Sequence, residues 1–184
     1  MHRRDLLAGL AGSGVLAGGI AVAGSDRAGR LPGTSVGGND GDRSGATVPV
    51  ARIETFDAPG SEAGHREVPE RGSVTVLEFF ATTCGVCADY METLGAVERE
   101  VDASFVSITV EVVGTTVSRE TVADWWHDNG GRWTVGVDDE LVLSSALDVA
   151  GVPFTAVLDA SNRVVHAESG AAAEDDLRDA ITRA

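Results

Sequence analysis

Apolar positions beyond residue 49 fall into short runs of two periods, separated by Gly, Pro, Ser and Asn. Residues 50–56, VARIETF, alternate and predict a short strand, followed by a loop over 57–72, DAPGSEAGHREVPERG. Residues 74–80, VTVLEFF, form a β-branched and aromatic run that suits a strand buried on both faces of a sheet. From Cys87 the period becomes helical. Cys87, Tyr90, Met91, Leu94, Val97 and Val101 share one face, while Asp89, Glu92 and Glu98 fall elsewhere.

Residues 105–113, FVSITVEVV, predict a second buried strand. Ser118 is placed to cap a helix with Glu120 in its first turn, running through TVADWWHDN and stopping at Gly130-Gly131. ELVLSSALDV holds one or two further helical turns. After Pro153, FTAVLD and RVVHAES predict a hairpin joined by ASNR, with Asn162 in the turn. A last helix spans 172–184, with Leu177 and Ile181 facing inward and Glu174, Asp175 and Asp176 at its N-terminus. The order β, β, α, β, α, α, β, β, α combines a crossover unit with a terminal hairpin. It implies an α/β domain: a mixed central β-sheet with helices on both faces.

Upstream, the pattern is different. MHRRDLLAGLAGSGVLAGGIAVAG sets Arg3 and Arg4 before an uncharged, Gly- and Ala-rich stretch over residues 6–24. This resembles a twin-arginine export signal, with Ala21-Val22-Ala23 as a small-residue cleavage site. The alternative is a retained membrane tether through residues 6–24, since about 20 apolar residues suffice to span a bilayer. No Cys follows this stretch, which excludes a lipid-modified N-terminal Cys. Either way the domain faces outward. Residues 25–48, rich in Gly, Ser, Asp and Arg, read as a disordered linker, leaving 49–184 as the folded domain.

Charge narrows the partners. Asp and Glu number 29, the 14 basic residues are all Arg, and the net charge is −15. That balance argues against nucleic acid and anionic membrane surfaces. The carboxylates are scattered (Asp102, Glu111, Asp124, Asp128, Asp138 to Glu140, Glu174 to Asp176) and mark no ligand site. A Lys-free, acidic surface with few aromatics reads as solvation in strong brine, as in a salt-in halophilic archaeon.

The chain has two cysteines, Cys84 and Cys87, where the buried strand meets the helix. Thiols at i and i+3 across a helix start can close a disulfide with little backbone motion. Cys84, at the helix N-terminus, sits where unpaired N–H groups and the helix dipole favour a thiolate, so it is the expected attacking thiol. Cys87, one turn in and buried, is the expected resolving thiol.

These residues carry a resemblance. FFATTCGVC is similar to the FWATWC-x-x-C stretch of the TlpA/ResA/DsbE-type extracytoplasmic thiol–disulfide oxidoreductases, in the thioredoxin-like superfamily. GVPFTAVLDASNRVV is similar to their GVP-x-T-x-x-(I/L)-D-x-x-G-x-(I/V) stretch, and the likeness spans roughly residues 50–184. The resemblance implies a thioredoxin-like fold, a cis bond before Pro153, and a substrate segment held strand-like on the Val152 backbone. It places Thr83, Gly85 and Val86 with Val152 and Pro153 in the substrate-binding region. It also makes Glu78, six residues before Cys84, a buried acid that takes the resolving thiol's proton. On the residues alone Glu78 also fits a solvent-facing strand position. Thr83 and Val86 depart from the family's usual Trp and Pro, so no redox potential carries over. Ala81 stands where a peroxide-reducing relative has Thr, which argues against a peroxidase.

The expectation is thus an exported thiol–disulfide oxidoreductase, acting as a monomer without bound cofactor or metal. It reduces protein disulfides, with apocytochromes c as one client class, and is recharged by a membrane thiol donor. The rivals are a disulfide-forming oxidase or isomerase, a copper carrier using the two thiolates, and a redox-silent binding domain. His65, His127 and His166 lie at no ligand spacing from the pair and read as surface residues. Trp125, Trp126 and Trp133 are candidates for a docking surface; one of the adjacent Trp125 and Trp126 is expected in the core.

Overall fold

A computed structural model describes residues 44–184. The signal or tether over 1–24, and the linker up to residue 43, lie outside the described residues. Seven strands form one sheet: β1 (Ala51–Thr55), β2 (Gly64–Val68), β3 (Thr75–Phe80), β4 (Ser104–Thr109), β5 (Thr134–Val137), β6 (Phe154–Leu158) and β7 (Val164–Ser169). Their spatial order is β2-β1-β5-β4-β3-β6-β7. The central β5, β4 and β3 are parallel, and β1, β2, β6 and β7 join antiparallel, so the sheet is mixed as expected.

The four helices are α1 (Gly85–Glu98), α2 (Arg119–Asp128), α3 (Val142–Ala146) and α4 (Glu174–Thr182). Alternation along the strands splits the core in two. Val76 and Phe80 of β3 join Cys87, Tyr90, Met91 and Leu94 of α1, Trp126 of α2, and Leu177 and Ile181 of α4. Leu77 and Phe79 point the other way, into a cluster with Ile53, Val106, Phe154 and Leu143 of α3. Central strands buried on both faces explain the continuous apolar run at 74–80. β3 pairs in parallel with β4 from Thr75↔Ser104 to Phe80↔Thr109, and α1 is the crossover between them. This crossover is what lifts Cys84 and Cys87 to the C-terminal edge of the sheet.

Several expectations need correction. The stretch over 57–72 is not all loop, because β2 pairs with β1 over its whole length. As an edge strand with only Val68 buried, β2 has no apolar signature. β5 was also not foreseen. It is four residues long and carries Gly136, where an added Cβ would stand 2.2 Å from the Glu54 carbonyl oxygen of β1. The predicted strand over 105–113 ends at Thr109, where its pairing with β3 runs out; Val110 and Val112 beyond it are exposed. The ordered chain also begins before residue 49. Gly45 N–H donates to the Val164 carbonyl, Val48 N–H to that of Asn162, and Val48 is buried.

Local signals held at the helix ends. The Ser118 hydroxyl accepts the Thr121 N–H at 3.0 Å, and the chain leaves α2 through Gly130 at φ +76°. Ser118→Ala is expected to cost about 1 kcal/mol of stability. Denaturant unfolding would read this. α3 is capped from outside: the Asp138 carboxylate accepts the N–H groups of Val142, Leu143 and Ser144 at 2.8–3.0 Å. The tryptophans form no docking surface. Trp126 is fully buried and Trp133 nearly so, while half-buried Trp125 stacks on Phe80 with ring centroids 4.7 Å apart.

Candidate active site

The turn between β3 and α1 presents the cysteines. Cys84 N–H donates to the Ala81 carbonyl at 3.0 Å, closing a tight turn with Thr82 and Thr83 at its corners. Cys84 then takes the N-cap position of α1, its sulfur accepting the Cys87 N–H at 3.1 Å. A sulfur at this place faces the free N–H groups and positive end of the helix, which stabilise negative charge. Cys84 and Cys87 are joined by a disulfide with their Cα atoms 5.2 Å apart. Cys84 is half-buried and Cys87 is 1% exposed, so one sulfur can be reached from solvent and the other sits under the helix.

Pro153 lies against the pair. The Val152–Pro153 bond is cis, and Cys84 Sγ stands 3.9 Å from the Val152 carbonyl oxygen. In the disulfide this is a contact, since the sulfur carries no proton. Val152 is half-buried, whereas Thr83, Gly85 and Val86 are exposed, Val86 at 56%. The structure therefore gathers all five around one half-buried sulfur.

Glu78 is not solvent-facing. It is 2% exposed, on the same sheet face as Val76 and Phe80, beneath α1. Its register partners are Ser107 on β4 and Thr155 on β6. Neither carboxyl oxygen has a hydrogen-bond partner; the Ser107 hydroxyl instead accepts Trp133 Nε1–H at 2.9 Å. Burial pushes the Glu78 carboxyl up to about 8, with the Ser107 hydroxyl acting in the opposite sense. Tyr90, one turn after Cys87, shares a hydrogen bond with Thr155 Oγ1 at 3.2 Å. Its phenol is pushed up to about 12, first by burial, against the Thr155 bond, and further by the charge of Glu78. An acid that is largely neutral at pH 7, under the helix that carries both sulfurs, can give or take one proton without facing water.

Tyr90, Thr155, Ser107 and Glu111 were not singled out for this site from sequence. Tyr90 showed only as a member of an apolar helical face, and Ser107 as one polar residue within a buried run. The Glu111 carboxylate accepts Thr82 N–H at 2.7 Å and Thr82 Oγ1–H at 2.9 Å, but in sequence it is one acid among many. Among the described residues, no group of three or more His, Cys, Asp or Glu is placed to hold a metal ion. His65 and His127 are exposed, and half-buried His166 lies beside Glu168.

A two-cysteine disulfide capping a helix, opposite a cis proline at the edge of this mixed sheet, defines an oxidoreductase of the thioredoxin-like fold. The chain belongs to the Redoxin family, whose model matches residues 43–181. Solved structures share the architecture. StoA from Bacillus subtilis superposes with a TM-score of 0.60 at 16% identity, covering 73% of this chain and 98% of its own. A putative thiol:disulfide interchange protein DsbE from Chlorobium tepidum gives 0.60 at 19%, covering 76% and 96%. A thio-disulfide isomerase from Thermus thermophilus gives 0.61 at 22%, covering 76% and 95%. No curated protein sequence matches the chain.

Proposed function

We propose that this protein is an extracytoplasmic thiol–disulfide oxidoreductase that reduces disulfides in exported proteins. The observation that carries the reading is the reachable Cys84 sulfur, at a helix N-terminus and 3.9 Å from the Val152 carbonyl. In the reducing direction, the Cys84 thiolate attacks a substrate disulfide, forming a mixed disulfide and releasing one substrate thiolate. Cys87 then loses its proton and attacks Cys84 Sγ. The second substrate thiolate leaves, and Cys84–Cys87 closes, having delivered two electrons. Glu78 is the group that takes the Cys87 proton, and in the oxidising direction returns it. The carboxylate form does the accepting, and with a value of about 8 its share grows as pH rises through that point.

The substrate segment lies extended along Val152 and Pro153, bordered by Thr83, Gly85 and Val86. The Cys84–Cys87 pair carries the two electrons as a dithiol and gives them up on closing to the disulfide, so no organic cofactor or metal is required, and a monomer suffices. The names thiol:disulfide interchange protein and thio-disulfide isomerase point toward clients that are proteins with disulfides. Exported clients, apocytochromes c among them, and a membrane thiol donor follow from the twin-arginine-like N-terminus, cleaved or retained as a tether. No described helix is long and apolar enough to cross a membrane. The acidic, Lys-free composition suits a halophilic setting.

The deciding experiment is the equilibrium reduction potential of Cys84–Cys87 at high salt against a thiol redox buffer. A value near or below about −250 mV is expected for a reductase recharged by a donor. A value of about −120 to −180 mV would instead assign disulfide formation or isomerisation to the same residues. A pair that does not cycle at all would remove the enzymatic reading and turn attention to metal carriage by the two thiolates.

A further inference from the structure

Glu111 lies two residues beyond the end of β4, half-buried, where the sheet edge meets the turn that presents Cys84. Its carboxylate is engaged on both oxygens. Oε2 accepts Thr82 N–H at 2.7 Å and Thr109 Oγ1–H at 3.2 Å, while Oε1 accepts Thr82 Oγ1–H at 2.9 Å. Glu111 N–H in turn donates to Thr109 Oγ1 at 3.2 Å. The neighbouring Val110 N–H donates to the Phe80 carbonyl at 2.9 Å, so the chain after β4 is tied to the end of β3 as well as to Thr82. Hydrogen bonds to an ionised carboxylate are stronger than neutral ones. Thr82 is a corner of the turn closed by Cys84 N–H on the Ala81 carbonyl, so fixing Thr82 fixes where Cys84 begins the helix.

These partners are amides and hydroxyls, not cations. They hold the carboxylate without cancelling its charge. Thr82 and Cys84 are two residues apart, which puts their Cα atoms at most about 7 Å from each other. A negative charge hydrogen-bonded to Thr82, in the turn that Cys84 closes, opposes the helix N-terminus and the Cys87 N–H, both of which favour a thiolate on Cys84.

We propose that Glu111 is a positioning residue of the redox site, holding the Cys84 turn through Thr82 and weighting the pair toward the disulfide by its fixed charge. The proposal rests on the thiol–disulfide reading of the same site. Its test is equilibration of the full chain with glutathione. There, two glutathione thiols become one glutathione disulfide as Cys84–Cys87 opens to two thiols, a transfer of two electrons and two protons. Glu111→Gln is expected to shift the equilibrium about tenfold toward the dithiol, equivalent to about 30 mV, and to raise the thiolate fraction of Cys84 at neutral pH. Glu111→Asp keeps the charge on a shorter arm, so its equilibrium should stay within about twofold of the unmodified chain while exchange slows.

Thr82→Val, which keeps the charge and the amide bond, should also slow exchange without moving the equilibrium. If Glu111→Gln leaves both the equilibrium and the thiolate fraction unchanged, the charge role is overturned. Should Glu111→Gln fail to fold, Glu111→Asp decides: a tenfold shift there would overturn the role equally. An unmodified chain that does not cycle with glutathione would sink the functional reading itself, together with this one. Cycling of the unmodified chain with an inert Glu111→Gln would sink this one alone.

Discussion

Cys84→Ser is expected to abolish disulfide exchange, leaving only the rate of the uncatalysed reaction. A serine hydroxyl cannot form the mixed disulfide, and the helix N-terminus that stabilises a thiolate does too little to ionise an alcohol at neutral pH. Cys87→Ser should behave differently: its reduced form still attacks, but the mixed disulfide with substrate then accumulates for want of a resolving thiol. Mass spectrometry of protein mixed with an oxidised protein substrate distinguishes the two, showing an adduct for Cys87→Ser and none for Cys84→Ser. The reverse pattern would exchange the two roles. Both variants should fold, because the disulfide closes a loop of only four residues, worth about 2 kcal/mol in the chain-entropy picture.

The second large effect concerns Glu78 and has a definite sign. Its carboxyl titrates near 4.5 in the unfolded chain and at about 8 when folded, so the native state holds the proton more tightly. Its contribution to stability is full below pH 4.5, is lost progressively as pH rises from 4.5 to 8, and changes no further above that. Relative to Glu78→Gln, the unmodified chain should lose about 1.4 kcal/mol per pH unit through this window, a total on the order of 5 kcal/mol. Chemical denaturation of both chains at matched salt across the window reads this directly. The slope of the difference carries the information, since a buried amide also changes the offset through Ser107 and Thr155. Parallel curves would mean that Glu78 is not a buried neutral acid. In turnover assays, Glu78→Gln should slow the resolving step and lose the rise with pH near 8.

Much of this site was legible in the chain. The change from a continuous apolar run to a helical period between Phe80 and Cys87 places two thiols at a helix start. Thiolate chemistry at a helix N-terminus then predicts which of the two cysteines attacks. Ser118, Gly130 and Asn162 marked a cap, a stop and a turn because those effects act within a few residues. The elements that depend on distant groups were silent: β2 and β5 are strands by virtue of backbone pairing with β1 and β4 rather than by apolar content.

Glu78 shows where local reading stops. Alternation along β3 puts it opposite Leu77 and Phe79, but whether that second face meets water or a helix depends on α1 folding back over the sheet. Glu111 shows the same limit: in sequence it is one of 29 acids, and only the parallel pairing of β4 with β3 brings it to Thr82. The sequence by itself determined most of the elements and the place of the two cysteines at a helix start, because periodicity and capping are short-range. Tertiary structure alone decided which carboxylates stand beside that turn and helix, because Glu78 is buried only when α1 folds over the sheet and Glu111 reaches Thr82 across 29 residues of chain.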